Sequence, residues 1–269
     1  MLRALKRCYR ATAATVFLVG FFLGGPVIAL IALPFVFAAP QYARSLRARR
    51  VLAAGYRFFL GWMRRASVIV THVQGAESRP EGPAVYVANH PSILDIVPMC
   101  AYVAPFCIVV RLTPIRRACF AAVTSICDYV VVRDGSLQET EQLMEACVAR
   151  LAKGESVFIF PEGTRSPRGG LHAFSTAAFE IAERAGVPVV PVHIRVSAPV
   201  FAKDSSMLDW PEELVSYALE VLPSFSVEPG RPGVRAARDR ARVLLAEGVG
   251  LMQSPDPRET GSLGAVHGA

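Results

Sequence analysis

The chain has 269 residues, 52% of them hydrophobic, with a mean hydropathy of +0.37 and a formal net charge of +7. That length holds one large catalytic domain or two small ones. Residues 1–65 carry eleven basic side chains and no acidic one, while the remainder carries eighteen basic against twenty-two acidic. All the excess positive charge therefore lies in an N-terminal arm beside an apolar run, which points to anionic lipid rather than nucleic acid. No zinc-finger or RNA-binding aromatic motif is present.

From residue 11 to residue 40 there is no charged side chain. A helix of that length would reach about 45 Å, more than a hydrocarbon core of about 30 Å. Gly24-Gly25-Pro26 interrupts the run and favours a bend. The arm is either one kinked, tilted span or a membrane-inserted helical hairpin of residues 11–23 and 27–39. Arginines flank both ends, and only the hairpin keeps both clusters on the inner side, so the hairpin is preferred. The run is too long for a usual signal peptide. Residues 42–68 mix arginines with Val51, Leu52, Tyr56, Phe58, Phe59, Leu60, Trp62 and Met63. This reads as an amphipathic helix at a membrane interface.

Beyond residue 68, short β-rich runs alternate with helical stretches. Strands are expected at 84–88, 106–110, 129–132, 157–160 and 187–196. Helices are expected at 139–153, stopped by Gly154, and at 177–185, closed by Gly186. A late strand at 216–222 and a helix at 234–245 complete the pattern. The class is α/β, a mostly parallel sheet flanked by helices. Three regions follow: a membrane anchor with its basic helix (1–67), an α/β domain (68–252) and a disordered tail (253–269).

Six cysteines, Cys8, Cys100, Cys107, Cys119, Cys127 and Cys147, include no C-x-x-C pair and lie mostly among apolar residues. They read as free buried thiols in a reducing compartment, with spacings unsuited to a metal. No phosphate-binding glycine loop appears, so a nucleotide-dependent enzyme is disfavoured.

Two blocks carry chemistry. In the first, Asn89-His90-Pro91-Ser92-Ile93-Leu94-Asp95, an apolar strand ends at the imidazole, where α/β proteins place their sites. Ser92 and Asp95 have the spacing of a helix cap. Asp95 alternatively accepts a hydrogen bond from one ring nitrogen of His90, leaving the other basic. In the second block, Phe160-Pro161-Glu162-Gly163-Thr164-Arg165-Ser166, a polar loop follows another apolar strand. Arg165 offers a planar fork suited to phosphate. Glu162 either orients that arginine or binds an acceptor hydroxyl. Ser92 is not part of a Gly-x-Ser-x-Gly elbow and has a role as a cap, which disfavours a serine nucleophile. His193, inside an apolar strand, reads as structural, and His72, His172 and His267 lack such company.

The two blocks, in this order and about seventy residues apart, resemble those of the glycerolipid acyltransferase family, which includes 1-acylglycerol-3-phosphate acyltransferases. The resemblance covers roughly residues 65–200. It implies that His90 is the general base, that Asp95 is its partner, and that Glu162, Gly163, Thr164 and Arg165 help bind the acceptor. Tyr129-Val130-Val131-Val132-Arg133 resembles a further family block and makes Arg133 a second phosphate ligand. Val189-Val190-Pro191-Val192 resembles an apolar block near the acyl chain or thioester. The chain departs from the family at Phe174-Ser175-Thr176-Ala177, where a lysine and a glycine are frequent, and at Arg111, where lysine is common. The implied reaction moves a fatty acyl group from acyl-CoA or acyl carrier protein to a lysophospholipid, with no cofactor and no metal. Another lysolipid acceptor, such as a lyso-ornithine lipid, and a thioesterase or lysolipid hydrolase are the alternatives. Membrane lipids are the expected partners, and the cytoplasmic face of a bacterial inner membrane is the expected location.

Overall fold

A computed structural model describes residues 8–16, 19–20, 34, 37–38, 40, 43–103, 105–111, 114–132, 137–198, 200, 210–211 and 213–247. In chain order the elements are helix α1 (Arg44–Arg65), strand β1 (Ile69–Gln74), β2 (Val85–Ala88), β3 (Cys107–Arg111), α2 (Pro114–Ile126), β4 (Val130–Val132), α3 (Leu137–Ala152), β5 (Val157–Ile159), α4 (Ala177–Ala185), β6 (Val189–Val196), β7 (Val215–Val221) and α5 (Gly230–Glu247). Between β2 and β3, a one-turn helix Ile96–Pro98 runs into a π-helical turn Met99–Val103.

The seven strands form one sheet in the order β1-β7-β6-β2-β5-β3-β4. The five strands from β6 to β4 are parallel. β7 runs antiparallel to β6, with His193 opposite Glu220, and β1 is parallel to β7, with Ile69 opposite Val215. The sheet is thus mostly parallel, as expected, with a reversed two-stranded edge. β1 has no counterpart among the expected strands. It is an edge strand with only Ile69 fully buried, so its period-2 signal is weak beside the arginine-rich helix before it. Gly75, which ends β1, has φ +68, and a Cβ there would lie 2.1 Å from the Val221 carbonyl oxygen, so only glycine fits.

Alternation along the strands divides the core into two layers. Val85, Val87, Val157 and Val189 face α3, α4 and α5, meeting Cys147, Phe179, Val234 and Leu245. Tyr86, Ala88, Phe158, Val190 and Val192 face the other way, toward Leu94, Val97 and Met99 and toward Leu60 and Met63 of α1. α4 stops at Gly186, φ +63, whose amide reaches the Ala182 and Glu183 carbonyls.

The boundary expected at 67/68 is crossed by packing. Leu60 and Met63 sit in the main core, and Ala48 and Leu52 pack on Val123 and Cys127. Arg49, counted in the sequence among the lipid-facing cations, is instead buried. Its Nε donates to the Cys127 carbonyl at 2.8 Å, and its Nη1 meets Glu155 Oε2 at 2.6 Å. The other face of α1 exposes Phe58 (77%) and Trp62 (49%).

The expected hairpin or kinked span at 11–40 lies largely outside the described residues, as does the tail at 253–269. Within the arm, residues 8–16 are helical, and Ala14 packs in the same cluster as Leu60. Among the described residues, no helix is long and apolar enough to cross a membrane.

Candidate active site

β2 ends at Ala88, and Asn89 and His90 leave the sheet at its carboxyl edge. The buried Asn89 amide donates to the Ile194 carbonyl at 2.8 Å, and its oxygen accepts the Ile194 amide at 2.7 Å. This two-point bond pins the end of β2 to β6. The next residue, His90, stacks its ring on Phe160, with centroids 3.9 Å apart and planes 14° from parallel.

His90 Nδ1 lies 2.9 Å from Asp95 Oδ2. The same oxygen accepts the Ser92 amide at 2.8 Å. One carboxylate oxygen thus faces the imidazole and closes the turn at Ser92, ahead of the helix that begins at Ile96. A carboxylate facing Nδ1 places the ring proton there and leaves Nε2 basic. The His90 side chain is 19% exposed and that of Asp95 is 0% exposed. Burial pushes the Asp95 carboxyl above the usual carboxylate range, while the bonds from His90 and Ser92 draw it back and the charge of Glu162 pushes it further up.

The loop after β5 closes on the same backbone. Glu162 Oε1 accepts the Ser166 hydroxyl at 2.5 Å and the His90 amide at 3.3 Å, and Oε2 accepts the His172 amide at 2.8 Å. Ser166 Oγ accepts the His90 amide at 3.0 Å, and the Ser166 amide donates to the His90 carbonyl at 2.8 Å. Glu162, expected at the acceptor, is thus turned to the protein and ties the two loops together. Gly163, φ +64, turns the loop outward; Gly163 and Thr164 are exposed and Arg165 is half-buried. These three form the outer rim. Two amides of the site are engaged within the protein: Ser92 N–H by Asp95 and Gly163 N–H by the Phe160 carbonyl.

Arg133 lies outside the described residues. It follows β4, and β3 separates β4 from β5 in the sheet, so the loops carrying Arg133 and Arg165 do not leave neighbouring strands. Arg111, at the end of β3, stands between those two strand ends. Sequence reasoning quoted Asn89, Phe160 and Ser166 within the motifs but gave them no role. For Asn89 and Phe160 the signal was available: each directly follows a strand that is wholly apolar and buried.

Cys100, Cys107, Cys127 and Cys147 are buried free thiols and Cys8 is exposed; the Cys119 side chain lies outside the described residues. Burial pushes the Cys127 thiol up to about 11 and Cys147 to about 12, so both stay protonated and poorly nucleophilic at neutral pH. Burial, and after it the nearby Arg195, pushes His193 down to about 4, which keeps that ring neutral inside β6. Among the described residues, no group of three or more His, Cys, Asp or Glu is placed to hold a metal.

An α/β sheet presenting a carboxylate-bound imidazole at its carboxyl edge, beside a loop with a cation on its rim, has the arrangement that general-base catalysis needs. Residues 70–195 match the family model described as Acyltransferase. A chloroplastic 1-acyl-sn-glycerol-3-phosphate acyltransferase of Brassica napus is 35% identical over 124 residues, 45% of this chain and 36% of the relative. The 1-acyl-sn-glycerol-3-phosphate acyltransferase of Pseudomonas aeruginosa is 29% identical over 157 residues, 58% of this chain and 61% of that one. The chain thus spans about a third of the length of the plant relative and under two thirds of the bacterial one. The crystal structure of the 1-acyl-sn-glycerophosphate acyltransferase PlsC from Thermotoga maritima superposes with a TM-score of 0.68 at 17% identity, covering 94% of this chain and 99% of that one, which shows a shared fold.

Proposed function

We propose that the chain moves a fatty acyl group from acyl-CoA or acyl carrier protein to the free hydroxyl of a lysophospholipid, with 1-acyl-sn-glycerol 3-phosphate as acceptor and phosphatidic acid as product. The observation that carries this reading is the 2.9 Å contact between His90 Nδ1 and the wholly buried Asp95, at a strand end beside the Glu162–Ser166 loop. The names of the relatives support the acceptor. His90 Nε2 takes the hydroxyl proton as the acceptor oxygen attacks the thioester carbonyl. The tetrahedral adduct collapses, the C–S bond breaks, and the departing thiolate takes the proton from the imidazolium. A thioester is already activated, so positioning and proton transfer supply the catalysis.

Arg165, on the outer rim of the loop, is the candidate ligand for the acceptor phosphate, with Arg133 as the second. Arginine grips phosphate bidentately, which lysine cannot reproduce. In Arg165→Lys, acceptor-dependent transfer should fall about tenfold or more, while acceptor-free thioester hydrolysis changes little. Both rates are read by mass spectrometry with purified protein, labelled acyl thioester and a panel of lysolipids. Equal loss of both rates would remove Arg165 from the acceptor site. Hydrolysis without transfer to any lysolipid would mark a thioesterase.

We also assign the chain to the cytoplasmic face of a membrane. Phe58 and Trp62 stand one helical turn apart on the exposed side of α1, among arginines suited to anionic headgroups. Replacing both aromatics with serine should weaken sedimentation with anionic vesicles about fivefold or more and leave thermal stability unchanged, because neither ring is in the core. Unchanged sedimentation would place the membrane contact elsewhere in the arm.

A further inference from the structure

Asp95 is fully buried, yet only half of its carboxylate is satisfied. Oδ2 takes the bonds from His90 and Ser92, whereas Oδ1 is buried with no hydrogen-bond partner among the described residues. Buried carboxylate oxygens are seldom left so, because stranding one forfeits its hydration. A second buried polar atom in the same region, the hydroxyl of Tyr217, forms no hydrogen bond of good geometry among the described residues, and its side chain is 1% exposed.

The sheet explains why the two belong together. Val215, Tyr217, Leu219 and Val221 are the buried, alternate positions of β7 and point to one face. That face packs on Leu94 and Val97, the residues on either side of Asp95 and Ile96. Tyr217, Leu94 and Val97 also line one small apolar cavity of about 10 Å³, which sets the Tyr217 ring against the segment that carries Asp95. The hydroxyl lies beside the Ser92 side chain and within electrostatic reach of Asp95.

We propose that Tyr217 is a positioning residue for the His90–Asp95 pair, its hydroxyl completing the hydrogen bonding of Asp95 Oδ1 across one buried water. Burial, and then the charge of Asp95, hold the phenol well above its usual range, so it keeps its proton and acts as a donor. With Oδ1 held, the carboxylate plane is fixed and Oδ2 stays aimed at the imidazole. The charged and titratable groups facing Asp95 are His90 from its own loop, Glu162 from the loop after β5, and Tyr217 from β7. α1 and β1 present the apolar Leu60, Met63 and Ile69.

The inference rests on the acyl-transfer reading for its kinetic consequence, though not for its structural one. Tyr217→Phe keeps the ring and removes the hydroxyl. Without that donor the Asp95 carboxylate is less stabilised and takes up a proton at higher pH. The expected result is a titration of the Asp95 carboxyl carbon, followed by NMR and assigned with Asp95→Asn, displaced upward by about one pH unit. The acid limb of kcat/KM should move up with it, kcat should fall about tenfold, and acceptor KM should stay in place. Thermal stability should drop. A hydroxyl that is merely stranded predicts the reverse, since phenylalanine would then remove an unpaired buried polar group and raise the melting temperature. An unmoved Asp95 titration overturns the proposal, whatever the melting temperature does. Because the titration is read without turnover, a wild-type protein that transfers no acyl group would refute the proposed function and leave this test intact.

Discussion

Replacing His90 with alanine is expected to lower acyl transfer by about 10²–10⁴-fold, the usual worth of a positioned general base. The fold should survive, because the ring lies at the edge of the sheet, partly exposed, and Asn89 still pins the strand end to β6. Asp95→Asn preserves shape and an acceptor for the Ser92 amide but removes the charge that steadies an imidazolium. Its loss should be smaller, on the order of 10²-fold. Initial rates with saturating thioester and acceptor, normalised to folded protein by thermal unfolding, check both. A His90→Ala protein with near wild-type turnover would end the mechanism. An Asp95→Asn protein with unchanged turnover would reduce Asp95 to a cap.

The largest effect on stability should come from the joint between α1 and the α/β layers. Arg49 is buried, and its charge is matched by Glu155 at 2.6 Å and by the Cys127 carbonyl at 2.8 Å. Removing one member of a buried pair leaves the other without compensation, which costs about 3–5 kcal/mol. Glu155→Ala should therefore lower the melting temperature by roughly 6–20 °C for a domain of this size. Replacing both members with apolar residues, Arg49→Met with Glu155→Leu, should recover much of the loss, since no charge is then stranded. Thermal unfolding of wild type, Glu155→Ala and the double variant in one detergent checks both expectations. A Glu155→Ala protein within about 2 °C of wild type would mean that water reaches Arg49 and that the pair does not hold α1 to the domain.

Arg49 also shows where reading residues alone stops. In sequence it is one of eleven cations in an arm without acids, and every local rule turns it toward lipid. Its partner is 106 residues away, so no window could pair them. Glu162 is a similar case. Its place after an apolar strand made it a ligand group, and only the closure of two loops turned it to the amides of His90 and His172. β1 was missed for a related reason: at a sheet edge, pairing with β7 rather than its own pattern of side chains makes it a strand.

By itself the sequence determined the parts whose cause is local. Buried parallel strands read as continuous apolar runs, α4 ends where Gly186 takes a left-handed conformation, and a proline marks the end of β2, so α3, α4, α5, the central strands and the two motifs lie where their residues put them, whereas α2 had no counterpart among the expected helices. The pairing of His90 with Asp95 belongs to the same class, since five residues and one turn bring them together. The tertiary structure alone decided what depends on contacts between distant segments: the reversed edge that packs Tyr217 against Leu94 and Val97, the burial of Arg49, and the commitment of Glu162 to the backbone of His90. The physical reason is range. Propensity, capping and periodicity act over a few residues, whereas a buried charge or an unpaired hydroxyl is given its partner by the way the whole chain closes on itself.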